Sequence, residues 1–299
     1  MSPRVRILAL VWLAAAAAAA VVIGATLLQS QSSAATELPK GDPPLLLDLG
    51  LRQDPEARDL ARAVRLYSEG NEEAAARVFA RYRSVDARVG QALAGWPTGT
   101  LQRLEQLAAE QPRDGIVRLN LGFALFWSGR REDAVAAWRQ TRLIAPDSLA
   151  AVRAGDLLYP QFASGLPIFT PDRPPHGPVG RHLLAGIRLQ RLGRQISARR
   201  EFDAAVTLAP DDPQALVAAA VSRFDKPNPS PAFARLGPLA RRFPRTPTVR
   251  FHLGVLLLWM GRVDAAKAQL HRARSIAPRS PLAREADRFL DRLGSIESG

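Results

Sequence analysis

Prolines recurring every 34 residues constrain this chain more than any other feature. Pro112 and Pro146 stand 34 apart, as do Pro210 and Pro244, and Pro244 and Pro278. The segments that end at three of these prolines superimpose. Leu121-Gly122, Gly129, Ala134 and Ala145-Pro146 have the spacing of Leu253-Gly254, Gly261, Ala266 and Ala277-Pro278. Ala185-Gly186, Gly193, Ala198 and Ala209-Pro210 form the third copy. A period of this length fits two short helices and their turns. A small residue in each helix lets the two cross closely, a glycine takes the positive φ at the turn, and a proline ends the unit. Helices this short are marginal in water, so each must bury its apolar stripe on its neighbours.

Composition agrees with helix. The chain is 47% hydrophobic and 23% charged, rich in Ala, Leu and Arg, with only 6% aromatics, which favours helix over sheet. Cysteine is absent, so disulfides, thiolate chemistry, zinc ribbons and iron–sulfur clusters are excluded.

Weaker copies fill the gaps. Residues 81–114 place Gly95 at the turn, with Leu104 and Pro112 following; residues 213–246 keep Ala220, Leu236 and Pro244. In that second copy the glycine turn is replaced by Lys226-Pro227-Asn228-Pro229-Ser230-Pro231. An earlier pair at about 56–83 carries Gly70, Ala75 and Phe79, and Pro281 to Leu293 reads as a cap helix. From Pro146 to Pro210 the period slips: after a helical stretch, Tyr159 to Pro178 is a proline-rich loop. It is either a hinge between two blocks or a functional loop.

The pattern resembles the tetratricopeptide repeat (TPR) family. Its characteristic places are held by Gly122, Gly129, Ala134, Trp138, Thr141 and Pro146 in one copy. Gly186, Gly193, Ala198, Phe202, Ala205 and Pro210 hold them in the next, and Gly254, Gly261, Ala266, Leu270, Ala273 and Pro278 in the last. The resemblance implies an all-α fold, a right-handed superhelix (α-solenoid) of helix-turn-helix repeats. The expected organisation is an N-terminal block over 56–148, a helix plus proline-rich loop over 149–178, a C-terminal block over 179–280, and a cap helix and tail over 281–299.

The same resemblance implies a groove for a partner peptide, lined by first helices. Carried over, its lining is Ile116, Leu119, Phe123, Phe126 and Trp127; Leu183, Ile187, Gln190 and Arg191; Val217, Val221 and Phe224; and Phe251, Val255, Leu258 and Trp259. The Lys and Asn of a carboxylate clamp are missing from these places. An apolar peptide or helix suits them. The alternative is that these side chains pack against adjacent repeats, or against the proline-rich segment folded back over them.

The formal charge is +13, nearly all of it arginine, since lysine occurs only at Lys40, Lys226 and Lys267. Arg188, Arg191, Arg194, Arg199 and Arg200 form a basic ridge, read either as an anion-binding edge, facing anionic lipid for instance, or as a solvated face. Nucleic acid is not expected, because no reader motif is present. Four histidines lack metal-ligand spacing, and no phosphate loop, GxSxG elbow or HExxH helix occurs. The chain is therefore expected to be a non-enzymatic scaffold without cofactor or metal.

Ile7 to Leu28 is uncharged and follows Arg4 and Arg6. As a helix it would reach about 33 Å, enough for the roughly 30 Å hydrocarbon core. Residues 1–6 are then expected on the cytoplasmic side, 7–28 as a signal-anchor helix and 29–55 as a linker, with the repeats outside a bacterial cytoplasmic membrane. Small residues at Ser32-Ser33-Ala34 leave open a cleaved signal and a secreted protein. The functional expectation is a membrane-anchored scaffold for protein–protein interaction. A structural subunit of a cell-envelope or cytochrome-assembly complex, and a secreted anion-binding module, are the alternatives.

Overall fold

The structure is a computed structural model and describes residues 38–297. The expected membrane helix at 7–28 lies outside the described residues, and none of the described helices is long and apolar enough to cross a membrane. Among the described residues the regular structure is entirely helical, and the chain divides into two compact units at Pro160/Gln161.

The first unit contains α1 (Pro55–Ser68), α2 (Glu72–Phe79), α3 (Val85–Leu93), α4 (Thr100–Glu110), α5 (Gly115–Trp127), α6 (Arg131–Ile144) and α7 (Leu149–Leu158). The second contains α8 (Gly177–Arg191), α9 (Gln195–Leu208), α10 (Pro213–Val221), α11 (Ser230–Arg242), α12 (Pro247–Trp259), α13 (Val263–Ile276) and α14 (Pro281–Glu297). Each unit follows one rule. A first helix packs on the second helix of its own pair and on the first helix of the next, while each second helix packs on the following first helix. In the first unit α1, α3, α5 and α7 form the row of first helices; in the second, α8, α10, α12 and α14 do. Each unit is thus an α-solenoid block of three helix pairs closed by one unpaired helix. The helix expected at the start of 149–178 is α7, the closing helix of the first block.

Local chemistry explains the boundaries. Most first helices open on side-chain caps: Asp54, Ser84, Asp114, Ser148 and Asp212 each accept a backbone N–H of the first turn, while α8 and α12 have none. The second helices α6, α9 and α13 have no such cap and follow directly on the left-handed turns at Gly129, Gly193 and Gly261. In the pair α3–α4 the turn differs from expectation. Gly99, not Gly95, takes the positive φ, because the connection runs from Ala94 to Gly99 and turns later.

Pairing depends on close approach at one glycine. A Cβ on Gly122 of α5 would lie 2.3 Å from Trp138 Nε1 of α6, and one on Gly186 of α8 would lie 2.4 Å from the Phe202 ring of α9. Both aromatic rings are fully buried. The small residue of the first helix therefore forms the seat for the large residue of the second. Gly186→Ala is expected to destabilise the chain by about 1–3 kcal/mol through overpacking. Gly294→Ala, in α14 with open space around the position and no proline after it, is expected to stabilise by about 0.5–1 kcal/mol. Denaturant titration of both variants checks the contrast, and equal effects would remove the seat from the account.

Candidate functional site

The first-helix face of each unit is crossed by an extended segment of that unit's own chain. In the first unit this strap is residues 38–49, read from sequence as linker. Leu38 lies beside the Gly129 turn. Pro43 C=O accepts from Tyr67 Oη of α1 at 2.6 Å. The amide of Asn120, on α5, then grips one residue twice: Leu46 N–H donates to Oδ1 at 3.1 Å, and Nδ2 donates to Leu46 C=O at 2.7 Å. Asp48 N–H faces the carboxylate of Asp86 on α3. Leu45, Leu46, Leu47 and Leu49 pack on the apolar core beneath.

The second unit repeats this arrangement with residues 165–173, from the proline-rich loop. Pro167 C=O accepts from Gln190 Nε2 of α8 at 3.4 Å, and Phe169 N–H donates to Gln190 Oε1 at 3.0 Å. Thr170 N–H donates to His252 Nε2 of α12 at 2.9 Å, and Asp172 N–H to Gln214 Oε1 of α10 at 3.1 Å. Trp259 Nε1 donates to Gly165 C=O at 3.2 Å. Phe169 is 1% exposed, stacked on His252 at 5.0 Å and edge-on to Phe202 at 5.9 Å. Burying such a ring stabilises the strap by about 2 kcal/mol. Both straps run antiparallel to the first helices, from near their C-terminal ends towards their starts.

The correspondence extends to register. Pro43 and Pro167, Leu46 and Thr170, and Asp48 and Asp172 are 124 residues apart, as are Gly41 and Gly165, which share a positive φ of 78° and 72°. The gripping residues match as well. Tyr67 and Gln190 each lie 12 residues beyond the proline that opens the first helix, Pro55 or Pro178. Asp86 and Gln214 are each the second residue of the second first-row helix, α3 or α10, and Asn120 and His252 the sixth of the third, α5 or α12. A Gly-x-Pro-x4-Asp string repeats in the sequence at Gly41–Asp48 and Gly165–Asp172. Sequence reasoning missed it because it is short and lies outside the 34-residue period.

Three strap-gripping groups have displaced protonation equilibria, and burial pushes the Tyr67 hydroxyl well above its ordinary range. His252 is fully buried, and burial lowers its pKa to about 4, only partly opposed by its hydrogen bond with the Thr248 backbone. Its Nδ1 donates to Thr248 C=O at 2.7 Å, which leaves Nε2 as the acceptor for Thr170. Burial raises Asp86 to about 6, with the Asp114 and Asp48 charges adding to it.

The residues expected to line an open groove are mostly inside. Ile116, Leu119, Phe123, Phe126, Trp127, Leu183, Ile187, Val217, Val221, Phe224, Phe251 and Val255 are all buried; Leu258 and Trp259 are half-buried. Phe123 and Phe126 turn to Trp138 of their own helix pair. Phe251 and Val255 pack with Leu282 and Ala286 of α14. Leu183, Ile187, Val217, Val221 and Phe224 share a core with Phe169 of the strap. Of the expected lining, Gln190 and Trp259 bond directly to the strap. In the basic ridge, Arg188, Arg191, Arg194 and Arg200 are exposed, whereas Arg199 is half-buried and donates to Ser222 C=O. Among the described residues no group of three or more His, Asp or Glu side chains is placed to hold a metal ion.

Between pH 4 and 6.5 the unfolded chain protonates at His252 and the folded chain does not, so this residue makes stability fall as pH falls. Asp86 acts oppositely, since its raised pKa adds stability at low pH that is lost as pH rises through about 6. His252→Gln keeps an acceptor for Thr170 and removes the His252 titration. Relative to wild type, the variant is expected to gain roughly 3 kcal/mol between pH 6.5 and 4. Denaturation midpoints across that range test this, and parallel curves for the two proteins would refute it.

No family model matches the chain, and no curated protein matches it. Among solved structures it is similar to a thermophilic TPR protein of Thermus thermophilus. The identity is 20%, over 79% of this chain and 98% of that chain, with a TM-score of 0.28. The TPR-like reading of this chain therefore rests on its own repeat spacing and on the packing of its helix pairs.

Proposed function

We propose that the chain is a membrane-tethered interaction scaffold that holds partner proteins by an extended apolar segment laid across the first helices, in competition with its own strap. One observation carries this reading. Each unit already holds an extended backbone by side chains at three corresponding places, Tyr67, Asp86 and Asn120 in one and Gln190, Gln214 and His252 in the other. Amide and imidazole groups aimed at backbone N–H and C=O read chain direction and extension rather than side-chain identity. The apolar bed beneath selects hydrophobic side chains between them. A tether fits such a role, because it confines the scaffold to the surface where its partners are recruited. The run Ile7–Leu28 behind Arg4 and Arg6 is the sequence basis for it.

A bound strap lowers the apparent affinity for any competitor by the fraction of time the face is free. Phe169→Ala removes the strap's main apolar anchor in the second unit and leaves all three gripping side chains in place in the sequence. A fluorescent peptide copying residues 161–176 is expected to bind full-length Phe169→Ala at least tenfold more tightly than wild type, read by anisotropy. If the peptide binds neither protein, capture of an extended segment on this face is ruled out. The tether makes its own prediction. The full chain should stay with membranes through an alkaline wash, and release of intact chain would dismiss an uncleaved anchor.

A further inference from the structure

The two units differ sharply in charge. Residues 1–160 hold 19 Lys and Arg against 17 Asp and Glu, a net charge of +2; residues 161–299 hold 22 against 11, a net charge of +11. Within the second unit three arginines converge. Arg199 of α9, Arg223 just past α10 and Arg235 of α11 line one cleft of about 300 Å³, together with Asp225, Asn228 and Pro231. The cleft sits where the glycine turn of the repeat is replaced by the Lys226–Pro231 loop, so the departure from the repeat builds its wall.

The three guanidiniums are placed differently. Arg223 is fixed: its Nη2 reaches both carboxylate oxygens of Asp203, at 2.8 and 2.9 Å, and its Nη1 donates to Ala219 C=O at 2.6 Å. Arg199 is tied at one end to Ser222 C=O at 3.3 Å, while its Nε is buried with no hydrogen-bond partner. Arg235 is exposed and pairs with no carboxylate among the described residues. Asp203 neutralises Arg223 and Asp225 is the one carboxylate in the lining, so Arg199 and Arg235 leave the cleft with an excess of positive charge. An anion with several acceptor oxygens balances that excess. Arginine forks favour oxyanions because parallel N–H donors match adjacent oxygens. Asn228 adds a neutral donor at the rim.

We propose that this cleft is an oxyanion site of the phosphate class, with Arg199 and Arg235 as donors and the Asp203-held Arg223 as a fixed wall. Its lining residues are not those that grip the strap, and it does not rest on the peptide-holding role. A cleft of this volume takes a bare phosphate or a phosphate carrying a small substituent, as in an anionic lipid headgroup.

The test uses the full-length chain in a neutral detergent, with inorganic phosphate titrated at constant ionic strength against sodium chloride. Phosphate is expected to raise the melting temperature in a saturable way, and chloride is not. Arg235→Ala is expected to weaken phosphate binding about tenfold. Arg241→Ala, the same charge change on the same helix outside the cleft, is expected to leave it unchanged. Equal responses to phosphate and chloride, or equal losses in the two variants, would overturn the site. The source of the phosphate is read from vesicles of phosphatidylglycerol against phosphatidylcholine. Weaker partition of Arg235→Ala than of Arg241→Ala onto the anionic vesicles alone identifies a headgroup. Equal partition together with selective phosphate binding identifies a free phosphate or its soluble ester.

Discussion

A helix face lined with phenylalanine, valine and isoleucine is not left to water, and an extended chain laid over it cannot leave its amides without partners. Those two requirements together shape both units of this protein. The apolar face demands a cover, and the cover, being neither helix nor sheet, needs side chains to satisfy its backbone. Asn120, Asp86 and Tyr67 meet that need in the first unit, and His252, Gln214 and Gln190 in the second. Each net hydrogen bond is worth only about 1 kcal/mol. An unmet buried amide costs more, so these polar residues specify where the strap lies more than they stabilise it.

The grip is built from different chemistry at matching positions, which shows what the site demands. At the third first-row helix an asparagine and a histidine perform the same task, because each offers an acceptor to a backbone N–H. Asn120 also donates back to the same residue of the strap; His252 spends its second nitrogen on its own helix at Thr248. At the second first-row helix a carboxylate and an amide are interchangeable for the same reason. The carboxylate is the more awkward choice, since burial beside Asp114 and Asp48 favours its neutral form.

The repeat architecture is largely legible in the amino-acid sequence. Gly122 with Trp138 and Gly186 with Phe202 announce close helix crossings, since a small residue and a large one at those spacings have nowhere else to meet. The boundaries of α5, α6, α8, α9, α12 and α13 follow from the same spacing. Legibility fades where the pattern decays: the α3–α4 turn lies at Gly99, and α7, which sequence places at the start of an irregular region, closes the first block. Most of the side chains carried over as groove lining are buried, which is the alternative the sequence also offered, because family positions say which way a side chain points and not what lies over it. Gln190, expected in its lining, does grip the strap.

What the sequence by itself determined is everything carried by short-range periodicity: helix lengths, glycine turns and the nesting of each pair. Such features depend on residues within one or two turns of each other, so a one-dimensional pattern contains them. Tertiary structure decided between an open face and the covering by the proline-rich loop that the sequence left as alternatives, and it alone showed residues 38–49 as the first unit's cover and where three arginines meet. Leu46 reaches Asn120 across 74 residues, and Thr170 reaches His252 across 82. Only the stacking of successive helices brings such distant partners together, and no local spacing records it.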